Sequence, residues 1–213
     1  MRELRILIVE DLPIIRYGLR KLIEAQRGWK ICSEASTGRA ALQKVKKLKP
    51  EIILLDLSLP DIWGVEAVPE IVEIHDQAGI LVLSDYDSGA VVRQVFAAGA
   101  RGLILKSDGF RDVVRGVQAL ARGKSFQSRR AAQLMKESSS AEMGSGYQFS
   151  VTARELQILK LLAEGKTNKE VGAALTVSVR TVEAHRASLM RKLELGSLTD
   201  LIYFAIRNGI VHI

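Results

Sequence analysis

The alternation of apolar and polar positions divides the chain into two parts with different periods. Up to about residue 124, short apolar runs alternate with amphipathic stretches. The runs at 4–9, 29–35, 52–55, 79–83 and 102–105 have strand length, and near-continuous apolar character marks strands buried on both faces. Between the first two, Ile14, Ile15, Leu19, Leu22 and Ile23 recur at helical spacing, and Pro13 suits an early helix position. Further helices are predicted at about 38–48, 64–76, 89–98 and 109–122, the last stopping at Gly123. Five strands alternating with five helices imply an α/β fold with a parallel, doubly wound sheet. Right-handed crossovers leave few arrangements. The order 2-1-3-4-5 sets strands one and three side by side at the switch point, where ligands bind in open α/β sheets.

Beyond residue 124 the period becomes wholly helical. Residues 125–137 read as a helix exposing Arg129, Arg130 and Lys136, followed by a Ser- and Gly-containing flexible linker at 138–146. Thr152 to Glu155 and Thr167 to Glu170 each have the S/T-x-x-E capping-box spacing before an apolar run. Leu156, Leu159, Leu162 and Ala163 give one buried face, and Val171, Ala174 and Leu175 the next. Thr176-Val177 turns, Ser178 caps a third helix through about Leu193, and a fourth runs from Ser197 to Arg207, ending near Gly209. Two helices joined by a tight turn, the second long and basic at its far end, point to an all-α, four-helix, helix-turn-helix domain. A purely structural or dimerising four-helix module fits the same pattern.

Composition adds limits rather than a function. With 47% hydrophobic and 26% charged residues, the chain is an ordinary globular sequence. Cys32 is the only cysteine, which excludes an intrachain disulfide and reads as a small buried hydrophobe. Three histidines and one cysteine make a zinc site untenable. No apolar run is long enough to span a membrane and the N-terminus lacks a signal-peptide layout, so a cytoplasmic protein with no membrane partner is expected. The net charge of +7 permits an anionic partner without naming one.

The chemistry collects at the predicted strand ends. Strand one runs into Glu10-Asp11, strand three ends at Asp56, strand four at Ser84 and strand five at Lys106. Each has an ordinary alternative as a cap, turn or solvated residue. Together, three converging carboxylates favour a hard divalent cation such as Mg2+, which takes oxygen ligands. Asp56 is then left as a nucleophile able to form an acyl phosphate. Lys106 offsets the added charge, and the Ser84 hydroxyl can bond a phosphoryl oxygen.

Residues 1–124 resemble the receiver domain of two-component response regulators through Glu10-Asp11, Asp56 with Pro60 and Gly64, Ser84, Gly99-Ala100-Arg101-Gly102 and Lys106. The resemblance implies that Asp56 accepts phosphate from a sensor histidine kinase. It also implies that Asp11, Asp56 and the Ser58 backbone carbonyl ligate magnesium, with Glu10 helping through water. Three positions depart from the family pattern. Leu103 stands where many receivers carry a switching Tyr or Phe, so the signal is expected to travel through Ser84 and the backbone around the fourth helix. Asp85 replaces a usually small residue, which can slow phosphorylation or speed its loss. Ser107 follows the lysine where many receivers have proline. A cis bond there would cost about 2.5–4 kcal/mol, so a trans peptide is expected.

Residues 150–213 resemble the LuxR-type DNA-binding domain through Thr152, Glu155, Gly165, Asn168-Lys-Glu170, Leu175, Val177-Ser178, Thr181-Val182, His185, Lys192-Leu193 and Gly209. Nearly the whole chain therefore resembles the NarL/FixJ class of response regulators, with residues 125–149 as linker helix and flexible linker. On the recognition helix Val182, Leu189 and Leu193 should face the core. Arg180, Glu183, Ala184, Arg186, Ala187 and Arg191 should be more exposed, with Arg186 and Glu183 as base readers. Lys169, Thr181 and Lys192 are candidates for phosphate contacts, and His185 for a structural role. The implied function is a phosphorylation-controlled, DNA-binding transcription regulator. It would pair with a sensor histidine kinase and double-stranded DNA, and dimerise when phosphorylated or on DNA. Part of the apolar surface of the last helix, Leu198, Leu201, Ile202, Ala205 and Ile206, would supply a two-fold contact. No enzyme activity is expected beyond self-phosphorylation and autodephosphorylation. A degenerate receiver working without phosphate and an aspartyl-phosphate phosphatase are the alternatives.

Overall fold

A computed structural model describes residues 3–141, 151, 153–175, 177–193, 195–207 and 210–211. The N-terminal part alternates strands and helices: β1 Leu4–Val9, α1 Pro13–Glu24, β2 Trp29–Ala35, α2 Gly38–Leu48, β3 Ile52–Asp56, α3 Gly64–Ile74, β4 Gly79–Ser84, α4 Gly89–Ala97, β5 Gly102–Leu105 and α5 Phe110–Ala121. All pairings are parallel. The sheet order is β2-β1-β3-β4-β5 followed by a sixth strand, β6 Phe126–Gln127.

Successive residues of a strand point to opposite faces, and the core divides accordingly. Ile6, Ile8, Ile52, Leu54, Leu81, Leu83 and Ile104 meet Leu19 and Ile23 of α1 and Val113, Val117 and Leu120 of α5. Their neighbours Leu7, Val9, Ile53, Leu55, Val82, Leu103 and Leu105 face the other way, onto α2, α3 and α4. Both faces are covered, as a parallel sheet requires. At the end of β3 the chain turns tightly. Gly64 N–H donates to the Leu57 carbonyl at 2.9 Å, and a Cβ there would lie 2.5 Å from the Asp56 carbonyl oxygen. Only glycine allows α3 to begin this close to Asp56. Asp61 Oδ1 and Oδ2 accept the first N–H groups of α2, from Gly38 at 2.8 Å and Arg39 at 2.9 Å. Those bonds outweigh the burial that opposes ionisation and hold the Asp61 carboxyl below its ordinary range.

The sixth strand is a difference from the five read in the sequence. Phe126 N–H donates to Arg101 and Ser128 N–H to Leu103, so residues 126–127 satisfy the free edge of β5 instead of beginning a helix. The helix, α6 Arg129–Ala141, starts later and extends further than expected, and packs on α4. Residues 138–141 of the expected linker are thus helical, and 142–146 lie outside the described residues.

The C-terminal helices are α7 Ala153–Ala163, α8 Asn168–Ala174, α9 Val179–Lys192 and α10 Leu198–Arg207. The capping box at Thr167 and Glu170 is formed in both directions, and Ser178 Oγ caps α9 through Thr181 N–H at 3.1 Å. Thr152, Thr176 and Gly209 lie outside the described residues. Ile158, Leu159, Leu162, Val171, Val182, Leu189, Leu201 and Ala205 form the core. Ala174, expected inward, is exposed. The turn between α8 and α9 is close: a Cβ on Gly172 would come 2.9 Å from the Val177 carbonyl oxygen. Leu201 and Ala205 are consumed by the core, so the large exposed apolar residues of α10 are Leu198 and Tyr203.

Candidate functional site

Strand ends β1, β3, β4 and β5 converge as the order predicts. Asp56 is 1% exposed, and its two oxygens differ. Oδ1 lies 2.9 Å from Lys106 Nζ and accepts the Ser58 N–H at 3.2 Å. Oδ2 has no hydrogen-bond partner. Glu10, fully buried, accepts the Leu12 N–H through Oε1 at 3.1 Å and places Oε2 3.1 Å from Lys106 Nζ. Carboxylate oxygens of Glu10, Asp11 and Asp56 lie within 4.8 Å of one another. Burying like charges is expensive, and Glu10 and Asp56 reflect it. Burial and the Asp56 charge push Glu10 up to about 7. Burial also raises Asp56, against the pull of Lys106. Burial works against the Lys106 charge too, but Asp56, Asp85 and Glu10 outweigh it and raise its pKa.

Ser84 is buried at the end of β4, but its hydroxyl is already engaged. Its Oγ accepts the Tyr86 N–H at 2.9 Å. Asp85 extends towards the pocket, with Oδ2 3.5 Å from Lys106 Nζ. Lys106 opens a short 3-10 turn, Lys106–Asp108, through a trans peptide. For Ser58 the bond that ties it to the site is its N–H on Asp56.

Tyr86 is a residue the sequence reading passed over. It is 3% exposed and stacks on Trp63, with centroids 5.1 Å apart and planes at 25°. Lys160 Nζ of α7 lies 5.2 Å over the same ring, and Gln94 Nε2 of α4 donates to the Val151 carbonyl at 3.0 Å. Asp87 is gripped by Arg130 of α6 at 3.0–3.2 Å. Residues 84–87 thus touch the pocket, the C-terminal helices and the linker helix in turn. The available signal was an aromatic two positions past Ser84, with Trp63 just before Gly64, in a chain that is only 5% aromatic.

On α9, Arg180, Glu183, Ala184, Ala187 and Arg191 are exposed, and Thr181, His185 and Arg186 are half-buried. Val182, Leu189 and Leu193 face inward as expected. Lys169 is exposed on α8. Thr181 Oγ1 lies 2.8 Å from Ser178 Oγ, within the cap of α9. Lys192 differs from its expected place. Its Nζ donates to Oε2 of the buried Glu155 at 2.7 Å, so its charge serves the domain's own core.

Residues 6–118 match the response regulator receiver domain, and residues 150–205 match the bacterial regulatory proteins of the luxR family. The chain belongs to the response regulators and carries a LuxR-type DNA-binding domain. It is similar to the transcriptional regulatory protein LiaR of Bacillus subtilis, at 31% identity over 98% of this chain and 100% of that one. It is also similar to the response regulator VraR of Staphylococcus aureus, at 28% identity over 98% and 99%. A structure of the Salmonella typhimurium response regulator RcsB matches at a TM-score of 0.64, with 25% identity over 96% of this chain and 98% of that one.

Proposed function

We propose that this response regulator is switched by transfer of a phosphoryl group from a sensor histidine kinase to Asp56, and that the switch controls transcription through double-stranded DNA. The observation that carries the reading is the division of labour at Asp56. One oxygen is held by Lys106 and the Ser58 N–H, while the other is buried and unpartnered beside Glu10 and Asp11. An orphaned carboxylate oxygen among carboxylates fits Mg2+, which Asp11, Asp56 and the Ser58 carbonyl would hold with Glu10 behind. When bound, the ion supplies positive charge to the transferring phosphoryl oxygens. Lys106 holds Asp56 in place and meets the added charge after transfer. The Ser84 hydroxyl donates to a phosphoryl oxygen once its proton turns away from the Tyr86 carbonyl. The remaining activities are autophosphorylation from small phosphodonors and autodephosphorylation.

In this reading residues 1–124 form the receiver, 125–149 the linker and 150–213 the DNA-binding domain. Arg180, Glu183, Ala184, Arg186, Ala187 and Arg191 of α9 face the major groove, with Thr181 and Lys169 on phosphates. Two copies bind together, and the protein works in the cytoplasm. Among the described residues no helix is long and apolar enough to cross a membrane. RcsB, a structural relative at 25% identity, is described in terms of DNA interaction.

The test is phosphoryl incorporation from a small phosphodonor with and without magnesium. One acid-stable, hydroxylamine-labile group per chain is expected with magnesium, and none in Asp56→Asn, whose amide is no nucleophile. Undiminished labelling of that variant at another residue would overturn the assignment.

A further inference from the structure

Three carboxylates reach Lys106, but only two of them belong to the closed pocket. Asp56 and Glu10 are 1% and 0% exposed at their side chains, whereas Asp85 is 48% exposed. Its backbone is held on both sides. Ser84 before it is buried, and Tyr86 after it is buried, stacked on Trp63 and bonded through its N–H to Ser84 Oγ. One position further, Asp87 is clamped by Arg130. The Asp85 backbone is therefore fixed at the mouth of the pocket, and its carboxylate lies 3.5 Å from Lys106 Nζ.

We infer that Asp85 selects phosphodonors by charge, disfavouring dianionic acyl phosphates against phosphoramidate-type donors that carry a protonated nitrogen in the leaving group. The inference rests on Asp56 being the phosphoacceptor and names the donor class of that same site. In both cases a P–O bond to Asp56 forms as the bond to the leaving group breaks, with that bond's electron pair going to the leaving atom. An acyl phosphate leaves as a carboxylate. A protonated phosphoramidate leaves as a neutral amine, so neither transfer needs a further reactant. The two donors differ in what they bring past Asp85. The acyl phosphate arrives with uncompensated negative charge, and the lysine that would offset it is shared with three carboxylates. The phosphoramidate brings a positive nitrogen that cancels part of its phosphoryl charge. A single-sign field at the entrance of a low-dielectric cleft changes encounter rates by tenfold or more. The same placement favours a phosphohistidine, a phosphoramidate whose second ring nitrogen takes the proton, over acyl phosphates.

The experiment compares full-length wild type, Asp85→Asn and Asp85→Ala with acetyl phosphate and with phosphoramidate, at saturating magnesium. Incorporation is followed by intact mass, at low and high salt. Both variants are expected to react on the order of tenfold faster than wild type with acetyl phosphate. With phosphoramidate the change should stay within about twofold, and high salt should narrow the wild-type gap between donors, because screening weakens the field. An equal acceleration with both donors, or a donor ratio untouched by salt and by both variants, would overturn the proposal and leave Asp56 as the acceptor. If none of the three proteins takes phosphoryl from either donor, the phosphoacceptor reading falls, and the selection with it.

Discussion

Glu10 shows how far a single residue is set by its surroundings. Its carboxyl is buried next to Asp56, and its pKa stands at about 7 against an ordinary 4.5. A folded-state pKa above the unfolded one means that the native state binds the proton more tightly. Stability from this group is therefore full below pH 4.5 and is lost as pH rises through about 7. Glu10→Gln keeps an oxygen for the Leu12 N–H and removes the charge. In metal-free protein the variant should be more stable than wild type at pH 8, by on the order of 2 kcal/mol. The gain should vanish towards pH 4.5, and urea unfolding at several pH values reads it. A constant difference across that range would mean that Glu10 does not carry the charge. Lys192 gives a second residue-scale expectation. Its ammonium bonds the buried Glu155, so Lys192→Ala should destabilise the C-terminal domain by about 1.5–3 kcal/mol in thermal unfolding. The salt dependence of DNA binding should keep its slope, where a lost phosphate contact would flatten it by about one unit. Arg186→Ala, on a residue free of any such core bond among those described, should cost about 1–3 kcal/mol at one base position and relax preference there, read by binding to single-substituted operators.

At the scale of elements, the loop after β4 joins the pocket to the rest. Ser84 has one hydroxyl proton, so it can donate to a phosphoryl oxygen only by giving up its long 3.5 Å bond to the Tyr86 carbonyl, while its oxygen goes on accepting the Tyr86 N–H. A Ser84 hydroxyl that turns towards the phosphoryl group draws with it the Tyr86 backbone bonded to its oxygen, and the Trp63 ring stacked on Tyr86 reports the change. In a Trp29→Phe protein, Trp63 is the one tryptophan left of two. Its emission should change on phosphorylation, and Ser84→Ala should abolish that change while Asp56 is still labelled. Emission that responds equally without the Ser84 hydroxyl would remove Ser84 and Tyr86 from the route. The sheet, its order and the converging Glu10, Asp11, Asp56, Ser84 and Lys106 were legible in the sequence, because period and strand ends are local signals. Tyr86 was not, because its role depends on a stacking partner and on Lys160, both distant in sequence. Leu103 was read as the loss of an aromatic at one position. The structure puts an aromatic on the neighbouring strand end instead. The β6 strand was missed for a similar reason: only the open edge of β5 makes residues 126–127 extended.

For the molecule as a whole, the question is what phosphorylation has to overcome. The core on the α2–α3–α4 side of the sheet continues through Ala131 and Leu134 of α6 to Ile158 and Leu159 of α7. Polar contacts across that junction include Gln94 on Val151 and Lys160 over Tyr86. A phosphoryl group favours the released arrangement only through a difference in free energy between the two. A loop that grips Tyr86 less well supplies such a difference. The same difference can be supplied without phosphate. Lys160→Ala removes a cation–π contact worth about 0.5–1 kcal/mol, which corresponds to roughly a two- to fivefold shift towards release. Sedimentation should then show unphosphorylated Lys160→Ala with more dimer than wild type, and DNA binding should tighten by a similar factor. Adding a phosphoryl mimic should bring wild type and variant closer together, because both then populate the released state. Asp56→Asn should stay with unphosphorylated wild type whether the mimic is present or not. If Lys160→Ala instead leaves mass and DNA affinity at the wild-type values while the mimic changes both, the Tyr86 contact does not hold the closed arrangement. Control then lies in the α4 and α6 packing alone.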